Sequence, residues 1–475
     1  MSLEAADRTI SQSLDSPPRL PLHQMFRLGL FQLGLGMMSV LTLGVINRIT
    51  IDELGVSASI AAGAIAMHQF VAPARVWFGQ LSDSKPLFGM HRTGYIWLGS
   101  VVFTAVSFVA VQVVWQLGDS LEASGWSGAT YGWAGILAGV FAVYGLALSA
   151  SSTPFAALLV DVSDDDNRSQ LVSVTWSMLM IGIVIGAISS SVILKQVGLD
   201  APIEQLQASV NQLFTIVPIA VVGLTAIATV GVEPVYSRFA QRSSLANRED
   251  GIGFRDALKI LTASRQTGIF FTFLIVMSIS LFMQDAVMEP YGGEVFGMEV
   301  SETARLNAFF GIGTLIGIAA TGFAIIPRLG KQRTVRLACF GVAIALLGFI
   351  AAGISAVPES LMLALGIFGL ASGVLTAGAI GLMLDLTAAE TAGTFIGAWG
   401  LAQAIARGTS TVLGGTVLDL GKALFDQPLL SYGLVFAVQA VGMGYAIVLL
   451  RRVNIQEFQD NARAALSAVM EGELD

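Results

Sequence analysis

Along this chain, apolar runs about as long as a bilayer-crossing helix alternate with short polar breaks, and strict two-residue alternation is rare. A helix needs about 20 predominantly apolar residues to cross roughly 30 Å of hydrocarbon. On that measure, spans are expected near 26–49, 57–81, 94–117, 131–160, 168–194 and 211–232. A second set follows near 268–290, 304–327, 334–356, 360–384, 391–418 and 429–450. Only closed barrels and helices satisfy every backbone polar group in lipid. The fold class expected is therefore all-α and polytopic, with twelve transmembrane helices in two six-helix halves.

The polar segments organise these spans. Residues 1–25 form a polar, proline-bearing stretch read as a disordered cytoplasmic tail, without a signal-peptide core. The first half covers 26–232, a central loop 233–267, the second half 268–451 and a C-terminal tail 452–475. Arg238, Arg242, Arg248, Arg255, Lys259 and Arg265 crowd the central loop, and most other Lys and Arg fall in loops on the same side. Cytoplasmic loops retain basic residues, so both termini are expected in the cytoplasm. The halves also echo one another: LLVDVSDDDNRS at 158–169 and LMLDLTAAETAG at 382–393 place Asp161 and Asp385 in register. Such an echo suggests two parallel repeats.

Composition sharpens this. Of 475 residues, 54% are hydrophobic and 12% charged, with a mean hydropathy of +0.74. A soluble domain carries about twice that charged fraction. The single cysteine, Cys339, excludes an intrachain disulfide. No basic stripe points to nucleic acid, and no phosphate loop, nucleophile elbow or zinc-spaced cluster points to an enzyme.

Ionisable residues inside spans are costly and mark partners or wet cavities. In QFVAPARVWFGQLSD (69–83), Arg75 sits in an otherwise apolar helix, with His68, Ala72 and Gly79 at helical spacing from it. Pro73 is placed to kink that helix. Asp161 and Asp83 are the carboxylates within reach of Arg75; an Arg75–Asp161 ion pair and a ligand contact by Arg75 both fit the sequence. His68 fits either a hydrogen-bonded core histidine or an axial ligand to a chlorin magnesium. Asp83, Arg92, Asp161 and Arg168 form a candidate gate and ion-pair group at the inner ends of the spans. In the second half, Asp285 and Glu289 lie one turn apart, and Arg407, with Gln403 one turn before it, lies at similar depth. With Asp385 they form a candidate intramembrane charge network, either a paired lock or a proton-coupled carboxylate site. The pairs Gly182/Gly186, Gly313/Gly317, Gly369/Gly373 and Gly393/Gly397 read as close-packing contacts.

Two six-span halves, a long central loop and the turn Gly79-x-Leu81-x-Asp83 with Arg92 beyond resemble the major facilitator superfamily. Longer segments, RLGLFQLGLGMMSVLTLGVINRITIDELGV (27–56), QFVAPARVWFGQLSDSKPLFGMHRTGYIWLG (69–99) and STPFAALLVDVSDDDNRSQLVSVTWSMLMIGIVIGA (152–187), resemble its PucC, or bacteriochlorophyll delivery, branch. The matching positions include Phe31-Gln32, Gly36-Met37-Met38, Asn47-Arg48 and Glu53-Leu54-Gly55. Ala72-Pro73-Ala74-Arg75 and His91-Arg92-Thr93-Gly94-Tyr95 look closest to cyanobacterial-type members. The resemblance implies a non-enzymatic factor that delivers chlorophyll-type pigment, or assembles light-harvesting or photosystem complexes, in a thylakoid or bacterial inner membrane. It implies chlorophyll or bacteriochlorophyll as cargo, although the residues themselves fix no cofactor. Membrane lipid, chlorophyll-binding apoproteins or antenna subunits, and pigment-synthesis machinery are the implied partners. A proton-coupled transporter of a small solute and a pigment-free structural assembly factor are the alternatives.

Overall fold

The structure, a computed structural model, describes residues 18–163, 165–194, 202–237, 265–385, 392–454 and 457. Helices dominate, and the only β-type pairing among these residues is an isolated bridge between Leu87 and Met90. The first half contains α1 (Leu22–Glu53), α2 (Ala58–Phe70), α3 (Ala74–Ser84), α4 (Thr93–Ser124), α5 (Gly128–Asp161), α6 (Asp165–Leu194) and α7 (Ile203–Thr229). The second contains α8 (Arg265–Phe282), α9 (Met288–Phe296), α10 (Val300–Ala320), α11 (Lys331–Ser355), α12 (Pro358–Asp385), α13 (Ala392–Leu424) and α14 (Pro428–Arg451). Among the described residues, ten helical stretches are long and apolar enough to cross a membrane. The protein is a multi-pass integral membrane protein.

All twelve expected spans coincide with helix, but two are broken. The second span divides into α2 and α3 at a turn over Val71–Pro73, where proline has no N–H for a helical bond. The seventh divides into α8 and α9, joined by a 3₁₀ turn at Met283–Ala286. The first span is continuous but contains two π-helical segments, Val40–Val45 and Ile49–Glu53. Extra residues of this kind widen the helix locally and recur at functional sites. The eleventh span, α13, is long but carries Gln403, Arg407 and Asp419, and is not among the ten apolar stretches.

Close helix packing follows the glycines. A Cβ at Gly182 on α6 would overlap the backbone carbonyl of Leu33 on α1, and one at Gly313 on α10 would overlap that of Gly366 on α12. Backbones approach this closely only where no side chain intervenes. Gly186, Gly317, Gly369 and Gly373 meet neighbouring helices in the same way, as the sequence led us to expect. The Gly393 and Gly397 surroundings lie outside what is described.

The halves meet along two seams, α2 against α13 and α6 against α10. On the first seam, Gly408 meets Gln69 and Phe70, Gly415 meets Ala58 and Ala62, and Asp419 bonds to residues 57–59. The two helices thus run together from the break in α2 to its N-terminus. Beyond the break, α3 packs on α5 of its own half. Chain direction puts Ser57 and Asp419 at the face away from the termini. Leu20, Ile96, Leu158 and Val232 gather at the terminal face of the first half, and Gln332 bonds to the carbonyls of Leu450 and Val453 at that of the second.

Candidate functional site

The breaks in the second and seventh spans meet around a small pocket between the halves. It is lined by Leu43, Asn47, Ile65, His68, Gln69, Asp285, Ala286, Arg407 and Thr411. Each polar liner is delivered by an irregularity or a seam: Asn47 lies between the π segments of α1, His68 and Gln69 precede the Val71–Pro73 turn, and Asp285 sits in the 3₁₀ turn. Three residues singled out in the sequence, His68, Asp285 and Arg407, are brought together here. Asn47, Gln69 and Thr411 were missed, because single uncharged polar residues within a span give no distinctive signal.

The His68 ring is held at both nitrogens. Nδ1–H donates to the carbonyl of Ile65, so Nε2 is the acceptor, and the Gln69 amide donates to it at 2.8 Å. The ring also packs edge-on against Tyr144, 6.1 Å between centroids. This is the hydrogen-bonded arrangement; axial ligation through Nε2 requires Gln69 to swing away first. Asn47 Nδ2 donates to the carbonyl of Ala286 across the interface, while its Oδ1 has no hydrogen-bond partner.

The charge network differs from the expected one. Asp285 and Arg407 share the pocket and lie within electrostatic reach of each other, but no direct ion pair joins them. Asp285 Oδ1 accepts from Gln284 Nε2 at 2.8 Å, and the Arg407 guanidinium lies over the Phe282 ring, 4.0 Å from its centroid. The 3₁₀ turn also separates the two carboxylates that a continuous helix would align. Glu289 turns away from the pocket, buried at 6% exposure, where it accepts from Asn307 Nδ2 and lies against the backbone of Gly44 in α1. Gln403 is half-buried on α13 and does not line the pocket.

Arg75 does not pair with Asp161. The partner of Asp161 is Arg92, whose Nε lies 2.8 Å from Asp161 Oδ2 with both side chains nearly inaccessible, 5% and 7% exposed. Arg92 Nη1 also donates to Ser82 Oγ at 2.7 Å. The carboxylate of Glu233 caps the start of α4 by accepting the backbone N–H groups of His91, Arg92 and Thr93. Together these groups tie α3, α4, α5 and the segment after α7 at the terminal face. Arg75 instead begins α3 with its side chain exposed, and within electrostatic reach of Arg407 and His68. The backbones of Asp83, Arg168 and Asp385 are helical, but their side chains lie outside what is described, so the expected gate group is seen only through Arg92 and Asp161.

At the opposite face the halves are latched. Asp419 on α13 accepts from Ser57 Oγ at 2.7 Å and from the backbone N–H groups of Ala58 and Ser59 at 3.0 and 2.9 Å. A carboxylate from one half thus caps the N-terminus of a helix in the other, where both hydrogen bonding and the helix dipole favour it. Arg48 pairs with Asp52 and Glu53 and reaches the Met298 carbonyl, and Arg305 Nε donates to Ser191 Oγ at 2.7 Å.

A family model described as PUCC protein matches residues 45–458. The chain belongs to the PucC family. Among its curated relatives, a Rhodobacter capsulatus protein named "Protein PucC" is 30% identical over 455 residues, covering 91% of this chain and 93% of the relative. "Bacteriochlorophyll synthase 44.5 kDa chain" from the same species is 30% identical, covering 88% and 92%. "Protein PucC" of Cereibacter sphaeroides is 28% identical, covering 89% and 90%. The expected leaning toward cyanobacterial-type members is not borne out by these relatives. Among solved structures, a bacterial homologue of the iron transporter ferroportin in an inward-facing state aligns with a TM-score of 0.65 at 12% identity, covering 92% of this chain and 99% of that one. The nucleoside transporter NupG aligns with a TM-score of 0.62 at 13% identity, covering 90% and 98%. At such identities the likeness establishes the fold, that of major facilitator transporters, and nothing about substrate.

Proposed function

We propose that this PucC-family protein delivers chlorophyll-type pigment, or presents it to apoproteins, during assembly of photosynthetic membrane complexes. The observation that carries the reading is the family match across most of the chain, with relatives whose names include bacteriochlorophyll synthase chain. The pocket supports it: apolar walls, a few convergent polar groups and an unpartnered Asn47 acceptor, placed between two halves, make a ligand site. The cavity as it stands is too small for a macrocycle, so in this reading the halves part to admit one and these polar groups meet its edge. The remainder would extend toward the terminal face, where α3 diverges from the second half. The Lys and Arg of the terminal-face loops, among them Lys85, Lys331, Arg333, Arg336, Arg451 and Arg452, support a cytoplasmic position for that face in this reading. In this reading the protein is not an enzyme, and its partners are chlorophyll-binding apoproteins or antenna subunits in a thylakoid or bacterial inner membrane.

One observation favours a second reading. The pocket is small, and it contains a carboxyl, Asp285, beside Arg407. Both suit a proton-coupled carrier of a small solute. Purification in mild detergent from a pigment-making host separates the readings through an absorption spectrum and mass spectrometry of co-purifying chains. Pigment with chlorophyll apoproteins supports delivery. Apoproteins without pigment indicate a structural assembly factor, and absence of both, with solute-dependent proton flux in proteoliposomes, indicates a carrier.

A further inference from the structure

The charge balance around the pocket specifies what part of a ligand it receives. Other cations at the spans have partners: Arg48 has Asp52 and Glu53, Arg92 has Asp161, Lys422 Nζ lies 2.6 Å from Glu294, Arg305 bonds to Ser191, and Arg27 bonds to the carbonyls of Ile227 and Val230. Arg75 and Arg407 differ. Both side chains are exposed, and among the described residues neither makes an ion pair with a carboxylate or donates a side-chain hydrogen bond. The Arg407 guanidinium lies over the Phe282 ring. Arg75 follows the break after α2, whose Gln69 and Phe70 pack on Gly408, the neighbour of Arg407 on α13. Among the described side chains, the carboxyl lining the pocket beside Arg407 is Asp285, already engaged by Gln284, which leaves two cations against one carboxyl among them. Unpaired cations within membrane spans face water or a functional counter-ion. Arginine is suited to the latter because its planar fork grips a carboxylate through two parallel bonds.

We propose that Arg75 and Arg407 together bind the anionic group of an amphipathic ligand, a carboxylate on a large apolar body. Resting on the pigment reading above, this makes the cargo the free acid of a chlorin rather than its long-chain ester. The carboxylate would sit between α3 and α13 and bridge the halves, with the ring extending toward the terminal face. A fatty acid carries the same headgroup chemistry, so the test includes both sources.

The test measures binding of chlorophyllide a, its neutral methyl ester, and oleate to the full chain in detergent, for wild type and for Arg75→Gln/Arg407→Gln. The expected result is that the acid binds at least about tenfold tighter than the methyl ester, as loss of charge-assisted bonds implies. The preference should fall toward unity in the double variant while ester affinity stays unchanged, which also reports that the variant is folded. The wild-type preference needs no variant and should weaken as salt is raised. Equal binding of acid and ester overturns the anion site but leaves the pigment reading standing. Arginine-dependent binding of oleate, with neither chlorin bound, supports the anion site and removes the pigment reading. Failure of all three ligands to bind overturns both.

Discussion

Asp419 offers a direct handle on the movement of the halves. Its carboxylate accepts three hydrogen bonds from Ser57, Ala58 and Ser59, at 2.7, 3.0 and 2.9 Å, and is half-buried at the face away from the termini. A helix cap contributes about 0.5–2 kcal/mol and a hydrogen bond to a charged group about 1.5–3 kcal/mol. With three such contacts but partial exposure, the latch as a whole is worth about 1–3 kcal/mol, or roughly 5–150-fold in the equilibrium between joined and parted halves. Asp419→Ala should shift that equilibrium by this factor. Ala62 is a suitable reporter position, fully buried on the seam against Gly415. A cysteine there, labelled with maleimide in detergent, should react roughly 5–150-fold faster in the Asp419→Ala background. Native Cys339, buried in the second half, reports global unfolding and should stay unlabelled. Equal Ala62→Cys labelling with and without Asp419, or Cys339 labelling at the same rate, would refute the latch.

Other residues make separable predictions. Arg92→Ala breaks the nearly inaccessible pair with Asp161 and should lower stability by about 3–5 kcal/mol, whereas Arg75→Ala, with no such pair, should change thermal unfolding little. Comparable losses in the two variants would contradict the assignment of Asp161 to Arg92. Gly313→Val puts a branched side chain against the Gly366 carbonyl and should cost at least about 1–3 kcal/mol, read as lower yield and melting temperature. If His68 Nε2 is occupied by Gln69 as described, Gln69→Ala should increase axial binding of a magnesium chlorin, and His68→Ala should abolish that increase in the ligation-sensitive absorption band.

The helical architecture was legible because it rests on long apolar runs, which one sequence displays directly. Close packing was legible too, since Gly182 and Gly313 recur at helical spacing with a glycine partner. The breaks were only half legible. Pro73 announced the turn in the second span, but nothing in SLFMQDAVMEP announces a 3₁₀ turn at Met283–Ala286, and the π segments of α1 leave no compositional mark. Those irregularities decide the site. They send Asp285 into the pocket and Glu289 away from it, and they bring Asn47 to the interface. Charge partners were the least legible, because pairing depends on which helices are neighbours. Arg75 and Arg92 both lie within plausible reach of Asp161 along the chain, and only the packing of α4 on α5 chooses Arg92. Asp419 and Glu233 escaped notice for the same reason: each caps a helix distant in sequence.

The central claim is that the cavity between the halves receives pigment, and its most direct test is pigment occupancy in a protein whose pocket is filled. Thr411 lines the pocket from α13, and Thr411→Trp would obstruct it without altering the residues of the Arg92–Asp161 pair or the Asp419 latch. Wild type and variant would be purified side by side from a pigment-making host, and the chlorin-to-protein ratio read from absorbance after matching monodispersity and melting temperature. The account predicts pigment with the wild type and its loss from a folded Thr411→Trp protein. Wild-type protein without pigment, or a variant that retains the full ratio, would contradict it.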